Sequence, residues 1–264
     1  MRNDPAEELT DRYDREADAY RDLWAPILRK AALVLLRELT GARVQRVLDV
    51  GTGVGALLPD LCSAFPGALV LGIDRSRGML SLAQARIPRA VMDARQLAVP
   101  QGSVDRVLLL FMLFHLESPL AGLLEARRVL RGGGRAGTLT WGGELESSAT
   151  RIWTECLDAH GAAPADPTIV ARHDDVDTPE KMETLLRRAG FTSSRSWAGE
   201  LISTLDAEHL IRLRTSMGSA KPRFDSLTSG ARADCMADAR RRMSQLAREG
   251  FVARGRVIYS VAYA

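Results

Sequence analysis

The sequence predicts an α/β fold: a seven-stranded, mostly parallel sheet with helices on both faces, plus a helical cap. Three observations carry this. Between residues 46 and 141, five short apolar runs (RVLDV, ALVLGID, RAVMDA, VDRVLLLFML and RAGTLTW) alternate with helix-type segments around 56–64, 76–86 and 118–130, the rhythm of strand–helix–strand units. Two later strand candidates follow, Phe191–Leu205 and the alternating VARGRVIYSVAY near the C-terminus. Polar, mostly helical stretches at about 147–160 and 206–249 then supply a cap over one end of the sheet.

Taken in order, residues 4–40 read as two helices. Asp4-Pro5 is a capping residue with a first-turn proline, and Pro26 opens a second segment in which Ile27, Leu28, Ala31, Leu35 and Leu39 recur at helical spacing until Thr40-Gly41 ends it. Residues 1–41 therefore read as an N-terminal helical lid, and 42–264 as the main domain, with cap insertions at about 143–177 and 206–249. Inside the first insertion a Pro/Asp/His-rich passage, AAPADPTIVARHDDVDTP, precedes a helix capped by Thr178-Pro179-Glu180 and ending at Gly190.

Composition narrows the function. The chain has 264 residues, 46% hydrophobic and 26% charged, and a net charge of only +3, which gives no basic footprint for nucleic acid. Lys30, Lys181 and Lys221 are the only lysines among 36 basic residues, a bias that points to GC-rich codons and a bacterial source. Cys62, Cys156 and Cys235 stand apart, so neither a disulfide framework nor a cysteine metal site is indicated. The charged N-terminus lacks the apolar core of a signal peptide, and no run reaches the ~18 apolar residues of a membrane span. A cytoplasmic protein with a small-molecule partner is expected, away from membrane and nucleic acid, with a homodimer left open.

The chemistry begins at VLDVGTGVG, residues 47–55. A buried strand runs directly into Gly51, Gly53 and Gly55, where glycines permit a sharp turn and close approach of a ligand to the backbone at a helix start. As simple turn residues they would need no ligand. The same letters satisfy the Rossmann-like dinucleotide pattern GxGxxA through Gly51, Gly53 and Ala56. Asp49 separates the readings: a carboxylate two residues before the turn repels a pyrophosphate by ~1 kcal/mol or more at short range, whereas the ammonium and sulfonium of S-adenosylmethionine favour it. Asp74, nineteen residues after Gly55 at the end of ALVLGID, can accept hydrogen bonds from both ribose hydroxyls of either cofactor, or cap the following helix.

In order and spacing, VLDVGTGVG, LGIDRSRGML, VMDARQLAVPQGSVDRVLLLFMLFHL and EARRVLRGGGRAGTLTW resemble the successive motifs of class I S-adenosylmethionine-dependent methyltransferases of the ubiquinone/menaquinone-methyltransferase-like group. The resemblance covers about residues 44–142. It implies Asp49, Gly51 and Gly53 around the methionine part of the cofactor, Asp74 on the ribose, and Met79 against the adenine. It further implies Asp93 with Ala94 at the adenine's amino edge, and Phe111 and Met112 along the methionine side. Gly132-Gly133-Gly134 stands where the group usually has Pro-Gly-Gly, and no Asn-Pro-Pro-Tyr motif follows the fourth strand, which argues against base methylation.

Catalytic and acceptor-binding candidates are fewer. His115 follows the apolar run LLLFMLF at the mouth of the expected cleft, where it can serve as a general base or simply tie down the chain beyond the strand. His173, in RHDD, is the second candidate base, with a solvated loop as its plain alternative; His160 ends a helix and reads as a cap. Tyr13 and Tyr20 lie seven residues apart on one helix face. In resembling enzymes the N-terminal helix folds over the cofactor, which places the Tyr20 hydroxyl near the methionine carboxylate. Trp141, at the end of the fifth strand, and Trp24 are the candidate acceptor contacts. Arg212, Arg214, Lys221 and Arg223 form a basic cluster that suits either an acidic substrate group or a solvated face. No metal site is expected.

Methyl transfer from S-adenosylmethionine to a small molecule, of natural-product type, is the function expected. The alternatives are a quinone-type C-methyltransferase, an NAD-dependent oxidoreductase, and a non-catalytic cofactor-binding protein.

Overall fold

A computed structural model describes residues 5–41, 43–165, 172–218 and 220–264. The expected cap at Asp4 and part of the Pro/Asp/His-rich passage lie outside them.

The first helices follow from the sequence with one addition. Helix α1 (Pro5–Ala19) runs through a π-helical turn, Tyr20–Trp24, into α2 (Ala25–Leu39). Ala25 N–H reaches back five residues to the Tyr20 carbonyl, and Pro26 sits in the first turn of α2 without an N–H to offer. One face of α2, Ile27, Leu28, Ala31, Ala32, Leu35, Leu36 and Leu39, is buried. It lies tightly over the sheet, because a Cβ on Gly137 would stand 2.6 Å from Leu39 Cδ1.

The strands are β1 (Arg46–Val50), β2 (Leu69–Asp74), β3 (Arg89–Val91), β4 (Val104–Leu110), β5 (Leu130–Trp141), β6 (Ser193–Thr204) and β7 (Val252–Tyr263). They form one sheet in the order β3-β2-β1-β4-β5-β7-β6. Neighbours from β3 to β5 pair in parallel, and β7 runs antiparallel to both β5 and β6. Val104–Leu109 in β4 and Val257–Ala262 in β7 are buried at every position. Since side chains alternate faces along a strand, both faces of the sheet are covered there.

The connecting helices are α3 (Leu58–Ala64), α4 (Arg77–Ser81) and α5 (Pro119–Val129), followed by α6 (Ser148–Ala159) and α7 (Pro179–Arg188). After β6 come α8 (Ala207–Ser216), α9 (Ala220–Asp225) and α10 (Ser229–Met243). Side-chain caps start several of them: Ser147 forms a reciprocal capping box with Thr150, and Thr178, Asp206 and Thr228 each accept a backbone N–H. Helices α6, α8, α9 and α10 share a core separate from that of the sheet, built on Trp153, Cys156, Leu210, Ile211, Phe224, Cys235 and Met243.

Three expectations are corrected. The run VDRVLLLFML does not stay extended to its end: β4 stops at Leu110, Phe111 turns to φ 52°, and a 3-10 turn spans Leu113–His115. The helix expected over 76–86 is the single short α4, and RAVMDA contributes only three strand residues.

Candidate functional site

The site is built at the C-terminal ends of β1, β2 and β4, where an open parallel sheet leaves a crevice. After β1, Gly51, Gly53 and Gly55 take φ of 75°, 55° and 70°, a region that costs other residues ~1–2 kcal/mol. Their surroundings differ. A Cβ on Gly51 would meet Met112 Cβ at 2.8 Å, and one on Gly55 would meet Ala83 Cβ at 2.8 Å. A Cβ on Gly53 finds only the Tyr20 ring, at 3.6 Å. Gly51 and Gly53 line a cavity of about 110 Å3, whereas Gly55 packs against the body of the domain.

Two carboxylates face this turn. Asp49 is 3% exposed, and its hydrogen-bond partner is the Thr52 hydroxyl, which donates to Oδ2 at 2.6 Å. Burial pushes its carboxyl up to about 6, against the Thr52 bond, and nearby Asp74 adds to the rise. Asp74 accepts Gly53 N–H at 2.8 Å on Oδ2 and Ser76 N–H at 2.9 Å on Oδ1. Burial still lifts it above the usual carboxylate range.

The same cavity is lined by Tyr20, Met79, Met92, Ala94, Phe111 and Met112. Asp93 does not line it: its carboxylate is held by Arg95 at 2.8 Å, with Arg75 3.9 Å away. The Arg95 pairing keeps it below the usual carboxylate range. Asp49 lines an adjoining cavity of about 50 Å3 together with Thr52, Val54, Phe111 and Tyr20.

A larger cavity of about 180 Å3 lies beyond, lined by Trp24, Trp141, Phe114, His173 and Arg214 among others. Tyr13, Tyr20, Phe111 and His115 line both this space and the first one, so they form the boundary between them. Trp141 stands 4.9 Å from Phe111 and 5.9 Å from Trp24, ring centre to ring centre. His115 Nε2 and the Tyr13 hydroxyl are 2.7 Å apart. Burial pushes His115 down to about 3 and Tyr13 up to about 12, so both are neutral near pH 7 and the hydroxyl and the ring nitrogen share one hydrogen bond. His173 stacks on Phe114 at 4.1 Å, and burial lowers its pKa as well. His160 is away from both cavities, closing α6 3.8 Å from Asp238.

One part of the site has no motif in the sequence. Asp14 of α1 accepts the Ser76 hydroxyl at 2.5 Å and Gly78 N–H at 2.8 Å. The fit is close, for a Cβ on Gly78 would lie 2.8 Å from Asp14 Cα. This clamp holds α1 across the mouth of the first cavity, where Leu9, Thr10 and Tyr13 line it. Ser76 caps α4 through Met79 N–H, and its partner Asp14 lies 62 residues earlier in the chain. Among the described residues no group of three metal-ligating side chains occurs, and no helix is long and apolar enough to cross a membrane.

Comparison with known proteins gives the cavities a context. Residues 48–137 match a family described as a methyltransferase domain. The chain is 30% identical over 142 residues to a ubiquinone/menaquinone biosynthesis C-methyltransferase of Syntrophotalea carbinolica, covering 50% of this chain and 60% of that protein. It is 28% identical over 215 residues to a demethylmenaquinone methyltransferase of Corynebacterium kroppenstedtii, covering 79% and 85%. The fold resembles that of a Haemonchus contortus phosphoethanolamine N-methyltransferase solved with S-adenosyl-L-methionine: TM-score 0.52, 18% identity, 89% of this chain and 52% of that one. The first three curated relatives are matched over only 60%, 34% and 32% of their own length.

The residues present fit S-adenosylmethionine. Asp49 is a buried carboxylate with no cationic partner among the described residues, a setting that a ligand ammonium completes and a pyrophosphate would oppose. Gly53 is open toward the ligand space, and each oxygen of Asp74 that holds a backbone N–H retains a lone pair for a hydroxyl.

Proposed function

We propose that the protein, whose residues 48–137 match a methyltransferase domain, transfers the methyl group of S-adenosylmethionine to a small-molecule acceptor. The observation that carries this reading is the shared wall. The space beside the glycine turn and the larger aromatic space have Tyr13, Tyr20, Phe111 and His115 in common, which suits two reactants meeting across one opening.

When bound, the cofactor supplies an already activated methyl group on a sulfonium. The protein's task is then to align the acceptor and keep water out, and alignment can supply up to ~7–11 kcal/mol of the acceleration. Asp49, Gly51 and Gly53 hold the methionine end, with Tyr20 above them on the lid; Asp74 takes the ribose; Met79 and Ala94 border the adenine. Gly55 supports the turn by packing, and Asp93, tied up by Arg95, acts at most through its backbone. Phe111, Trp24 and Trp141 face the acceptor. His115, with a pKa pushed down to about 3 and its Nε2 taken by Tyr13, is a weak base, so we assign the pair to positioning; His173 is likewise kept neutral.

In this reading the helices between Pro5 and Leu39 form a lid, and the helices within about 143–177 and 206–249 form a cap. A cavity enclosed by such a cap suits a compact acceptor, which favours a natural-product-type small molecule in a bacterial cytoplasm. A quinone precursor is the second reading, supported by the likeness to a demethylmenaquinone methyltransferase over most of both chains. The test of the cofactor assignment is calorimetry with S-adenosylhomocysteine. Micromolar binding to the wild type and a loss of 100-fold or more in Asp74→Ala support it, and unchanged affinity in the variant overturns it.

A further inference from the structure

The larger cavity is lined by a guanidinium that has no ion-pair partner among the described residues. Of the basic cluster on α8 and α9, Lys221 pairs with Asp225 and Arg223 with Asp158, while Arg212 is exposed. Arg214 instead lines the cavity. Its Nε is out of solvent without a hydrogen-bond partner, and its guanidinium makes no hydrogen bond or ion pair among the described residues. Arg12, from α1, lines the same cavity with its Nε also buried and unpartnered, its guanidinium 5.5 Å from the centre of the Tyr13 ring.

The opposing charges are weak. Among the described residues Glu16 is the one acid lining the cavity. Its Oε2 takes Gly218 N–H at 3.3 Å, and burial raises its pKa toward the neutral form. Glu144 acts on Arg214 through space from an exposed position. Withdrawing a guanidinium from water is costly unless it is paired, and its fork geometry matches a carboxylate with two parallel hydrogen bonds.

Phe111, Phe114, Trp24 and Trp141 supply flat apolar wall, while Tyr13, Tyr20, His115 and His173 add polar edges. A cavity of ~150 Å3 accommodates benzene, so about 180 Å3 takes one ring with a small substituent. We propose that this cavity binds a monocyclic aromatic carboxylate, the ring against Phe111, Trp24 and Trp141 and the carboxylate on Arg214, with Arg12 adding to the positive field. The proposal rests on the methyltransferase reading above, because it names the chemical class of the acceptor.

The test uses the full chain saturated with S-adenosylhomocysteine and titrated by calorimetry with 4-hydroxybenzoate and with its neutral counterpart, 4-hydroxybenzamide. The carboxylate is expected to bind at least 10-fold more tightly than the amide and to weaken as salt rises. Arg214→Met should lower carboxylate affinity 10-fold or more while leaving S-adenosylhomocysteine affinity unchanged, and Arg214→Lys should restore part of the loss. Equal binding of acid and amide, no binding of either, or unchanged acid affinity in Arg214→Met overturns the carboxylate site while leaving the methyltransferase reading intact. Failure of S-adenosylhomocysteine itself to bind the wild type overturns that reading and the proposal with it.

Discussion

Tyr13 and His115, 102 residues apart in sequence, meet at 2.7 Å on the wall between the two cavities. The contact fixes α1 against the turn that follows β4, and burial there keeps both groups neutral. His115 is pushed from its usual 6.5 down to about 3. The unfolded chain therefore takes up a proton below pH 6.5 that the folded protein refuses, so this residue's contribution to stability is complete above pH 6.5 and falls as pH drops toward 3. Between pH 6.5 and 5 the expected loss is ~2 kcal/mol. His115→Gln should remove that loss. Urea midpoints at pH 7 and 5 should converge for wild type and variant in acid if the sign is right; parallel lines would contradict it.

Asp49 has the opposite dependence. Its carboxyl is raised from 3.8 to about 6 by burial, so the penalty for keeping it charged sets in between those values and is full above pH 6. Asp49→Asn should therefore stabilise the unliganded protein at pH 7.5 by ~2–3 kcal/mol, an upper figure for a group that relaxes. The same variant should bind S-adenosylhomocysteine 10-fold or more weakly. Thermal melts with and without S-adenosylhomocysteine read both effects, and a variant less stable without ligand would overturn the account.

The Asp14 clamp predicts a lid effect separable from cofactor chemistry. Asp14→Ala removes the acceptor for Ser76 and Gly78, and Gly78→Ala forces a methyl to within 2.8 Å of Asp14 Cα. Both should raise the dissociation rate of S-adenosylhomocysteine about 10-fold with little change in association, and both should expose α1 to proteolysis. Stopped-flow fluorescence and limited trypsin digestion are the measurements. A change confined to association would point away from a lid.

Much of this arrangement was legible in the sequence, for physical reasons. RVLDV and VARGRVIYSVAY gave strands with the expected bounds because β-branched residues end abruptly at glycine turns or polar segments. VDRVLLLFML overran because apolarity continues through Phe111, while the positive φ that ends the strand leaves no mark in composition. The π-turn at Tyr20–Trp24 was hidden between two good helical patterns, yet it places Tyr20 and Trp24 on the cavities. Gly51, Gly53, Asp49 and Asp74 were readable because local turn chemistry demands them. Asp14 with Gly78, and Arg214 as the member of its cluster that lines the larger cavity, depend on packing between distant segments, which spacing does not encode.

The glycine turn offers the sharpest contrast. Gly51→Ala and Gly53→Ala both place a side chain at positive φ, at ~1–2 kcal/mol each. At Gly51 the new methyl also meets Met112 at 2.8 Å, and overpacking of this kind adds ~1–3 kcal/mol. At Gly53 the nearest atom is 3.6 Å away on Tyr20, so strain is the main cost, but the methyl points into ligand space. Gly51→Ala should thus be the less stable of the two in urea, by ~1–3 kcal/mol. Gly53→Ala should keep more stability and still lose S-adenosylhomocysteine affinity 10-fold or more by calorimetry. If Gly53→Ala instead binds like wild type, the open side of Gly53 does not face the cofactor, and the turn serves packing alone.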